Sequence, residues 1–112
     1  FAIGPTFDDA RGFRDGLAPV SINGRWGHIR VDGSVAVEPR FERAGYFSEG
    51  FASITLGGKT GYVNAKGVVV IKPQFDHGAL FSKGKASVMV GEKVGVIDTE
   101  GNWVVTPHVL ED

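Results

Sequence analysis

The chain contains no cysteine, which excludes disulfide bonds and metal sites built on thiolates. It has no apolar run near the roughly 20 residues that a membrane-spanning helix requires, so we expect no membrane insertion. The formal net charge is only −1, and this near-neutrality gives no general attraction to nucleic acid or to anionic lipid. With 112 residues, the chain is expected to form a single domain.

What the sequence does contain is a period of 34 residues, seen first in Phe7, Phe41 and Phe75. The chain therefore consists of three tandem copies of one supersecondary unit. We divide the domain into repeats over residues 7–40, 41–74 and 75–108, with residues 1–6 as the tail strand of a preceding repeat and residues 109–112 as a C-terminal tail. Other residues recur in step, at Phe13/Phe47/Phe81, Gly16/Gly50/Gly84, Ala18/Ala52/Ala86, Gly27/Gly61/Gly95, Gly33/Gly67/Gly101 and Pro39/Pro73/Pro107.

The pattern inside each repeat predicts strands, although helical arrays can share the same period. Apolar residues alternate with period two, which indicates half-buried strands. Each repeat is predicted to begin with a linker whose two phenylalanines lie under a tight helical turn. A hairpin and a third strand follow. The third strand is apolar on both faces, so it is predicted to be central and to end at the recurring proline. The predicted strands span residues 17–22, 25–30 and 35–38, then 51–56, 59–64 and 68–72, then 85–90, 93–98 and 103–106.

Two-residue turns are predicted to close the three hairpins. Asn23-Gly24 is the strongest signal, because a type I′ turn requires positive φ at both central residues. This turn pairs Val20 with Gly27. Since a glycine inside a strand costs stability, we expect a neighbouring ring, such as a repeated phenylalanine, to contact its backbone.

The predicted fold is therefore all-β. It consists of three tandem 34-residue repeats, each a three-stranded antiparallel meander plus a tight helical turn. We expect these repeats to stack as a short solenoid-like array. A closed, pseudo-threefold arrangement is the alternative.

Several segments resemble the bacterial WG-repeat family. They are FSEG at residues 47–50, the pattern R/K-x-G-x-I/V at residues 25–29, 59–63 and 93–97, and IKPQF at residues 71–75. Trp26-Gly27 matches the pair that names the family, whereas Thr60 and Val94 stand where the tryptophan would recur. The resemblance implies a β-rich tandem array without established catalytic residues, and hence a binding or scaffolding role.

Motifs that carry chemistry are weak in this chain. The tetrapeptide GGKT at residues 57–60 is similar to the end of a phosphate-binding loop, but that loop needs a glycine at position 53, where serine stands. His28, His77 and His108 occupy three different positions in the repeat and form no pair with ligand spacing. We therefore expect no catalytic residues, no metal and no cofactor, and acidic neighbours of the arginines make nucleic-acid binding unlikely.

The outer face of the hairpins is the predicted binding surface, because it varies while the inner face repeats. In the alternative interpretation, Trp26, Tyr62 and Val96 pack on the next repeat. We expect a non-catalytic module for protein or peptide binding. A carbohydrate- or cell-wall-binding module is the alternative, and a hydrolase fragment ranks third. A bacterial envelope or secreted setting is favoured over the cytoplasm. The candidate binding residues are Trp26, His28, Arg30, Phe51, Thr60 and Tyr62.

Overall fold

The structure, a computed structural model, describes residues 7–109, and this part of the chain is all-β. The predicted tail strand over residues 1–6 and most of the C-terminal tail lie outside the described residues. Residues 7–109 contain no helix with the length and apolarity needed to cross a membrane. The strands are β1 (Asp9–Ala10), β2 (Leu17–Ile22), β3 (Arg25–Arg30), β4 (Val35–Phe41), β5 (Arg43–Ala44), β6 (Phe51–Leu56), β7 (Lys59–Asn64), β8 (Val69–Phe75), β9 (His77–Gly78), β10 (Lys85–Val90), β11 (Lys93–Asp98) and β12 (Trp103–Val109).

The strands form three open, antiparallel, four-stranded sheets, which we call sheets 1, 2 and 3. Their strand orders are β1-β2-β3-β4, β5-β6-β7-β8 and β9-β10-β11-β12. Each sheet is therefore a meander of consecutive strands, and it holds one strand more than predicted from the sequence.

The predicted hairpins and their register are confirmed. Val20 pairs with Gly27, and the same offset recurs in the other two sheets. Asn23 and Gly24 have φ angles of 52° and 80°, the positive pair that a type I′ turn requires. The GGKT segment lies in the equivalent turn between β6 and β7, where a strand rather than a helix follows. The phosphate-loop interpretation is therefore excluded.

The predicted tight helical turn in each linker is wrong. In sheet 2 the linker starts with the two-residue strand β5, which pairs with β6. It ends in a second tight turn, in which the backbones of Ser48 and Phe51 bond to each other in both directions. Glu49 and Gly50 at its centre have φ angles of 55° and 88°, as in a type I′ turn. The dipeptides at residues 15–16 and 83–84 adopt the same conformation, so an extended linker is common to all repeats.

The third strand of each repeat also differs from the prediction. β4, β8 and β12 are edge strands rather than central ones, because the linker strand pairs on the other side of the hairpin. They continue through the proline instead of ending at it, and irregular register marks the point where the proline lies. An edge strand tolerates proline because the outer side of its ladder needs no donor.

The strand glycines make room for this irregular backbone. A Cβ atom at Gly27 would overlap the carbonyl oxygen of Val37 and lie 2.7 Å from the nitrogen of Pro39. Gly61 faces the equivalent backbone in sheet 2. The expected contact with a phenylalanine ring is therefore wrong at both positions. At Gly95 a ring does approach, but it belongs to Trp103 of the same sheet.

The core lies between the sheets, in two clusters that we call junction 1–2 and junction 2–3. Four of the six repeated phenylalanines are buried in these clusters, whereas Phe13 is 49% exposed. Burying such a ring stabilises the fold by roughly 1.5–3 kcal/mol. Junction 1–2 contains Leu17, Val37, Phe41, Phe47, Ala52, Ile54 and Val63, and junction 2–3 contains Tyr62, Ile71, Phe75, Phe81, Ala86, Val88 and Ile97.

Candidate functional site: a groove along the sheet edges

Two of the predicted binding residues, His28 and Tyr62, are buried in the junctions. The Nε2–H of His28 donates to the carbonyl oxygen of Gly45, at 2.7 Å, and its ring lies edge-on to Phe47. Because Nε2 is the donor, Nδ1 carries no proton, and this buried atom has no hydrogen-bond partner among residues 7–109. Burial lowers the pKa of His28, and the bond to Gly45 opposes that effect.

Tyr62 occupies the position of His28 in the next repeat and makes the equivalent contacts. Its hydroxyl donates to the carbonyl oxygen of Ala79, at 2.7 Å, and its ring packs edge-on against Phe81. Burial raises the pKa of Tyr62 to about 12. Each of these side chains thus bonds one sheet to the linker of the next sheet. The alternative interpretation from the sequence expected such packing for Tyr62 but did not include His28.

Phe51 and Arg30 also lie apart from any common site. Phe51 is half-buried, with its ring centroid 5.1 Å from that of Phe81 in junction 2–3. Arg30 is exposed, and its guanidinium donates to the hydroxyl of Ser34 and the carbonyl of Val35 in the turn after β3. Arg30 stands at the opposite end of β3 from Trp26.

Trp26 and Thr60 do share a feature, a groove that passes the linker strands of all three sheets. We call it the edge groove. Two residues per sheet mark its course, and these are Arg11 and Trp26, Arg43 and Thr60, and His77 and Val94.

The edge groove consists of three successive depressions. Their volumes are about 460, 260 and 360 Å³. Arg43 lines both the first and the second depression, and His77 lines both the second and the third. The three depressions are therefore neighbours along the array, with Arg43 and His77 at the boundaries between them.

The chemistry of the edge groove changes from sheet to sheet. The first depression holds the half-buried ring of Trp26, and the guanidinium carbon of Arg11 lies 5.0 Å from the ring centroid. The second depression has a mixed lining that includes the hydroxyls of Thr55 and Thr60. The third depression has Met89 and Val94 at those positions and is therefore apolar.

Acidic residues next to the groove hold the hairpin turns. The carboxylate of Glu42 accepts hydrogen bonds from the backbone N–H groups of Gly57 and Gly58, at 2.9 and 3.1 Å. Asp76 accepts from Gly91 and pairs with Lys59 at 2.7 Å. The bonds from Lys59 and then Gly91 lower the pKa of Asp76. These carboxylates brace the turns and keep their negative charges, and Glu42 also lines the first depression.

The sequence profile of the family described as WG containing repeat matches residues 1–26, 26–59 and 61–93. The chain belongs to the WG-repeat family. The resemblance inferred from the sequence motifs is thus confirmed, and the matches cover most of the chain. No curated protein matches the chain.

Among solved structures, these WG repeats are similar to the crystal structure of HIRA(644-1017), with a TM-score of 0.57 and 12% sequence identity. The similarity covers 90% of this chain but only 38% of the HIRA chain. At this level of identity the likeness concerns the fold alone.

In the linkers of the WG repeats, the sequence interpretation missed three residues that mark the groove, Arg11, Arg43 and His77. Arg43 and His77 lie in linker strands, which were assigned to a helical turn and so were not considered as a surface. The acidic caps were missed as well, although one signal was available. An acidic residue follows the first phenylalanine of every repeat, at Asp8, Glu42 and Asp76.

Metal ligation has no geometric basis in the part of the chain that the structure describes. No three histidine, aspartate or glutamate side chains in residues 7–109 are grouped in a way that could hold an ion. His28 is sealed in junction 1–2, and His77 is exposed in the edge groove. What the WG repeats do offer is a groove with one arginine-rich end and one apolar end.

Proposed function

We propose that the chain is a non-catalytic module that binds an extended segment of a partner protein in the edge groove. The observation that carries this proposal is the succession of the three depressions, with Arg43 and His77 at the boundaries between them. In repeat proteins the recurring residues build the stack, and the variable surface is available for recognition. A peptide lying along the groove would contact all three sheets.

Preorganisation supports this proposal. Tight turns and carboxylate caps fix the walls of the groove, as Glu42 does for the turn at Gly57 and Gly58. The two-residue strands β5 and β9 are each paired to the adjacent hairpin. A groove with fixed walls loses little conformational entropy when a partner binds, so more of the contact energy remains as affinity.

The surroundings of Trp26 favour a polypeptide over a carbohydrate. Stacking on a sugar would require an open face of the ring, and the guanidinium of Arg11 lies over the ring at 5.0 Å from its centroid. The Arg11–Trp26 pair instead offers hydrogen-bond donors beside an apolar surface. This combination is typical of protein interfaces, where tryptophan and arginine are enriched.

We further propose that the three sheets form an open, solenoid-like array in solution. The sheets do not close on one another, and the principal extents are 53 × 26 × 24 Å. Small-angle scattering should give an elongated profile with a maximum dimension near the long axis. A globular profile would contradict the open arrangement and favour the closed, pseudo-threefold one.

Peptide selection tests the binding proposal. A phage library of random peptides is selected on the folded chain, and the affinities of selected peptides are measured by fluorescence anisotropy. Trp26→Ala should weaken binding at least about tenfold, since aromatic groups commonly act as hot spots. The matched control is Trp103→Ala, which makes the same change on β12, outside the groove, and should leave binding unchanged.

Circular dichroism should show that both variants remain folded. Failure to select any peptide, or an equal loss of binding in the two variants, would refute the proposed function.

A further inference from the structure

Arg43 is the most available charge in the edge groove. It lies on the short strand β5, is exposed, and lines both the first and the second depression. Within residues 7–109 the one ion pair joins Lys59 to Asp76, so Arg43 has no carboxylate partner there. An exposed arginine at the meeting point of two depressions is suited to a negatively charged ligand group.

Other arginines of the described chain are engaged by the protein itself. Arg11, Arg14 and Arg40 lie over the rings of Trp26, Tyr46 and Phe41, with guanidinium carbons 5.0, 4.9 and 4.9 Å from the centroids. Within residues 7–109 the adjacent Glu42 forms no ion pair with Arg43, and its two carboxylate oxygens instead accept bonds from Gly57 and Gly58. The charge of Arg43 therefore faces the groove.

The ligand group that matches Arg43 is a carboxylate. Arginine binds a carboxylate through two parallel N–H···O bonds, which provide both strength and direction. Recognition of phosphorylated peptides usually draws on a cluster of arginines, whereas Arg11, the other arginine that marks the groove, is held over the ring of Trp26. Charge complementarity thus indicates an aspartate or glutamate of the partner.

The third depression selects a different side chain. Its volume is about 360 Å³, and Ala79, Met89 and Val94 contribute to its lining. In sheet 2 the positions of Met89 and Val94 are held by Thr55 and Thr60, so this depression is apolar where the preceding one is mixed. Methionine adapts its shape to irregular apolar groups, which suits a leucine, isoleucine or phenylalanine side chain.

We infer that the edge groove recognises an extended acidic peptide in which a carboxylate binds Arg43 and a following or preceding apolar side chain occupies the depression formed by Met89 and Val94. This inference rests on the proposed function, since it names the chemistry of the partner for the same groove. His77 lies between the two contact points and fixes the path of the peptide past β9.

Short synthetic peptides test this chemistry directly. Fluorescein-labelled, acetylated and amidated peptides carry one glutamate and one leucine at increasing separations in an alanine–serine background. The matched probes replace glutamate by glutamine, or leucine by serine. At low salt, replacing glutamate should weaken binding about tenfold, or about 1.4 kcal/mol. High salt should reduce that difference, because added ions screen an exposed charge pair.

Two groove variants assign the contacts to residues. Arg43→Gln should abolish the preference for glutamate over glutamine and leave the preference for leucine intact. The control Arg40→Gln changes an arginine on β4. This strand lies at the edge of sheet 1 opposite to its linker strand β1, so both preferences should be preserved. The double substitution Met89→Thr and Val94→Thr converts the third depression to the residues of the second. It should abolish the preference for leucine alone.

The outcomes separate the two proposals. If neither these peptides nor those from the phage selection bind the folded chain, the proposed function fails. If peptides bind, but their affinity is the same with glutamate and glutamine or is unchanged by Arg43→Gln, then only the inference about acidic peptides is refuted.

Discussion

Junction 1–2 and junction 2–3 bury the same framework of phenylalanine, alanine and branched side chains, but they differ in the polar group that crosses between the sheets. His28 donates to the Gly45 carbonyl in the first junction, and Tyr62 donates to the Ala79 carbonyl in the second. The imidazole can gain a proton as the pH falls, whereas the phenol stays neutral over that range. Equivalent positions can thus hold equivalent bonds and still respond differently to acid.

Junction 2–3 is also tied by more contacts. Glu49 accepts bonds from the backbone N–H groups of Lys83 and Gly84, and the hydroxyl of Ser48 donates to the carbonyl of Phe81. In the described residues, the first junction has no equivalent of the Ser48 bond, because Arg14 replaces the serine. The comparison indicates that the stack is held most firmly at its C-terminal side.

The largest expected effect comes from removing a buried ring at each junction. Phe47→Ala and Phe81→Ala should each lower the free energy of unfolding by about 3–5 kcal/mol, because each leaves a cavity. Phe81→Ala should cost more, since Phe81 packs against both Phe51 and Tyr62. Urea unfolding followed by far-ultraviolet circular dichroism measures the difference.

Phe13→Ala is the matched control for the cavity experiment, because the same ring is 49% exposed at that position. It should change stability far less. A loss at Phe13 as large as that at Phe81 would contradict the assignment of the core to the two junctions.

Lowering the pH should have a smaller effect on the free energy of unfolding, and this effect should arise at junction 1–2. The pKa of His28 is lowered in the folded state, so the unfolded chain binds the proton more tightly. Stability should therefore be complete above the unfolded pKa of about 6.5 and fall as the pH decreases from that value toward the lowered folded pKa. Urea midpoints measured from about pH 7.5 to pH 5.5 follow this change.

His28→Gln should remove that dependence, because glutamine does not titrate. His77→Gln should retain it, since His77 is exposed in the edge groove. Identical profiles for the unmodified chain and His28→Gln would show that the buried imidazole does not set the pH response.

Local sequence signals predicted much of the fold. Asn23-Gly24 determined a hairpin and its register, and Gly27 indicated a close approach to the backbone. The partner in that approach was not predictable, because the irregular strand around Pro39 comes from a different part of the repeat. The dipeptide Asp15-Gly16 is a turn signal of the same kind as Asn23-Gly24, but the spacing of the neighbouring phenylalanines obscured it.

The candidate site was less accessible from the sequence. Variation at Trp26 and Thr60 pointed to the part of the repeat that lines the edge groove. The same argument also selected His28 and Tyr62, which the neighbouring sheet buries. Alternation within one strand shows which residues share a face, but only the placement of the next sheet decides which part of that face is covered.

The stacking of the sheets gives the edge groove a fixed pitch. The three sheets are spread along an axis 53 Å long, and an extended chain advances about 3.3 Å per residue, so a peptide bound along the proposed groove would place several residues against each repeat. In the proposed complex the number of repeats would therefore set the length of peptide that is bound. Exchanging a residue at position 26, 60 or 94 would change the chemistry of one depression and leave the spacing between depressions unchanged.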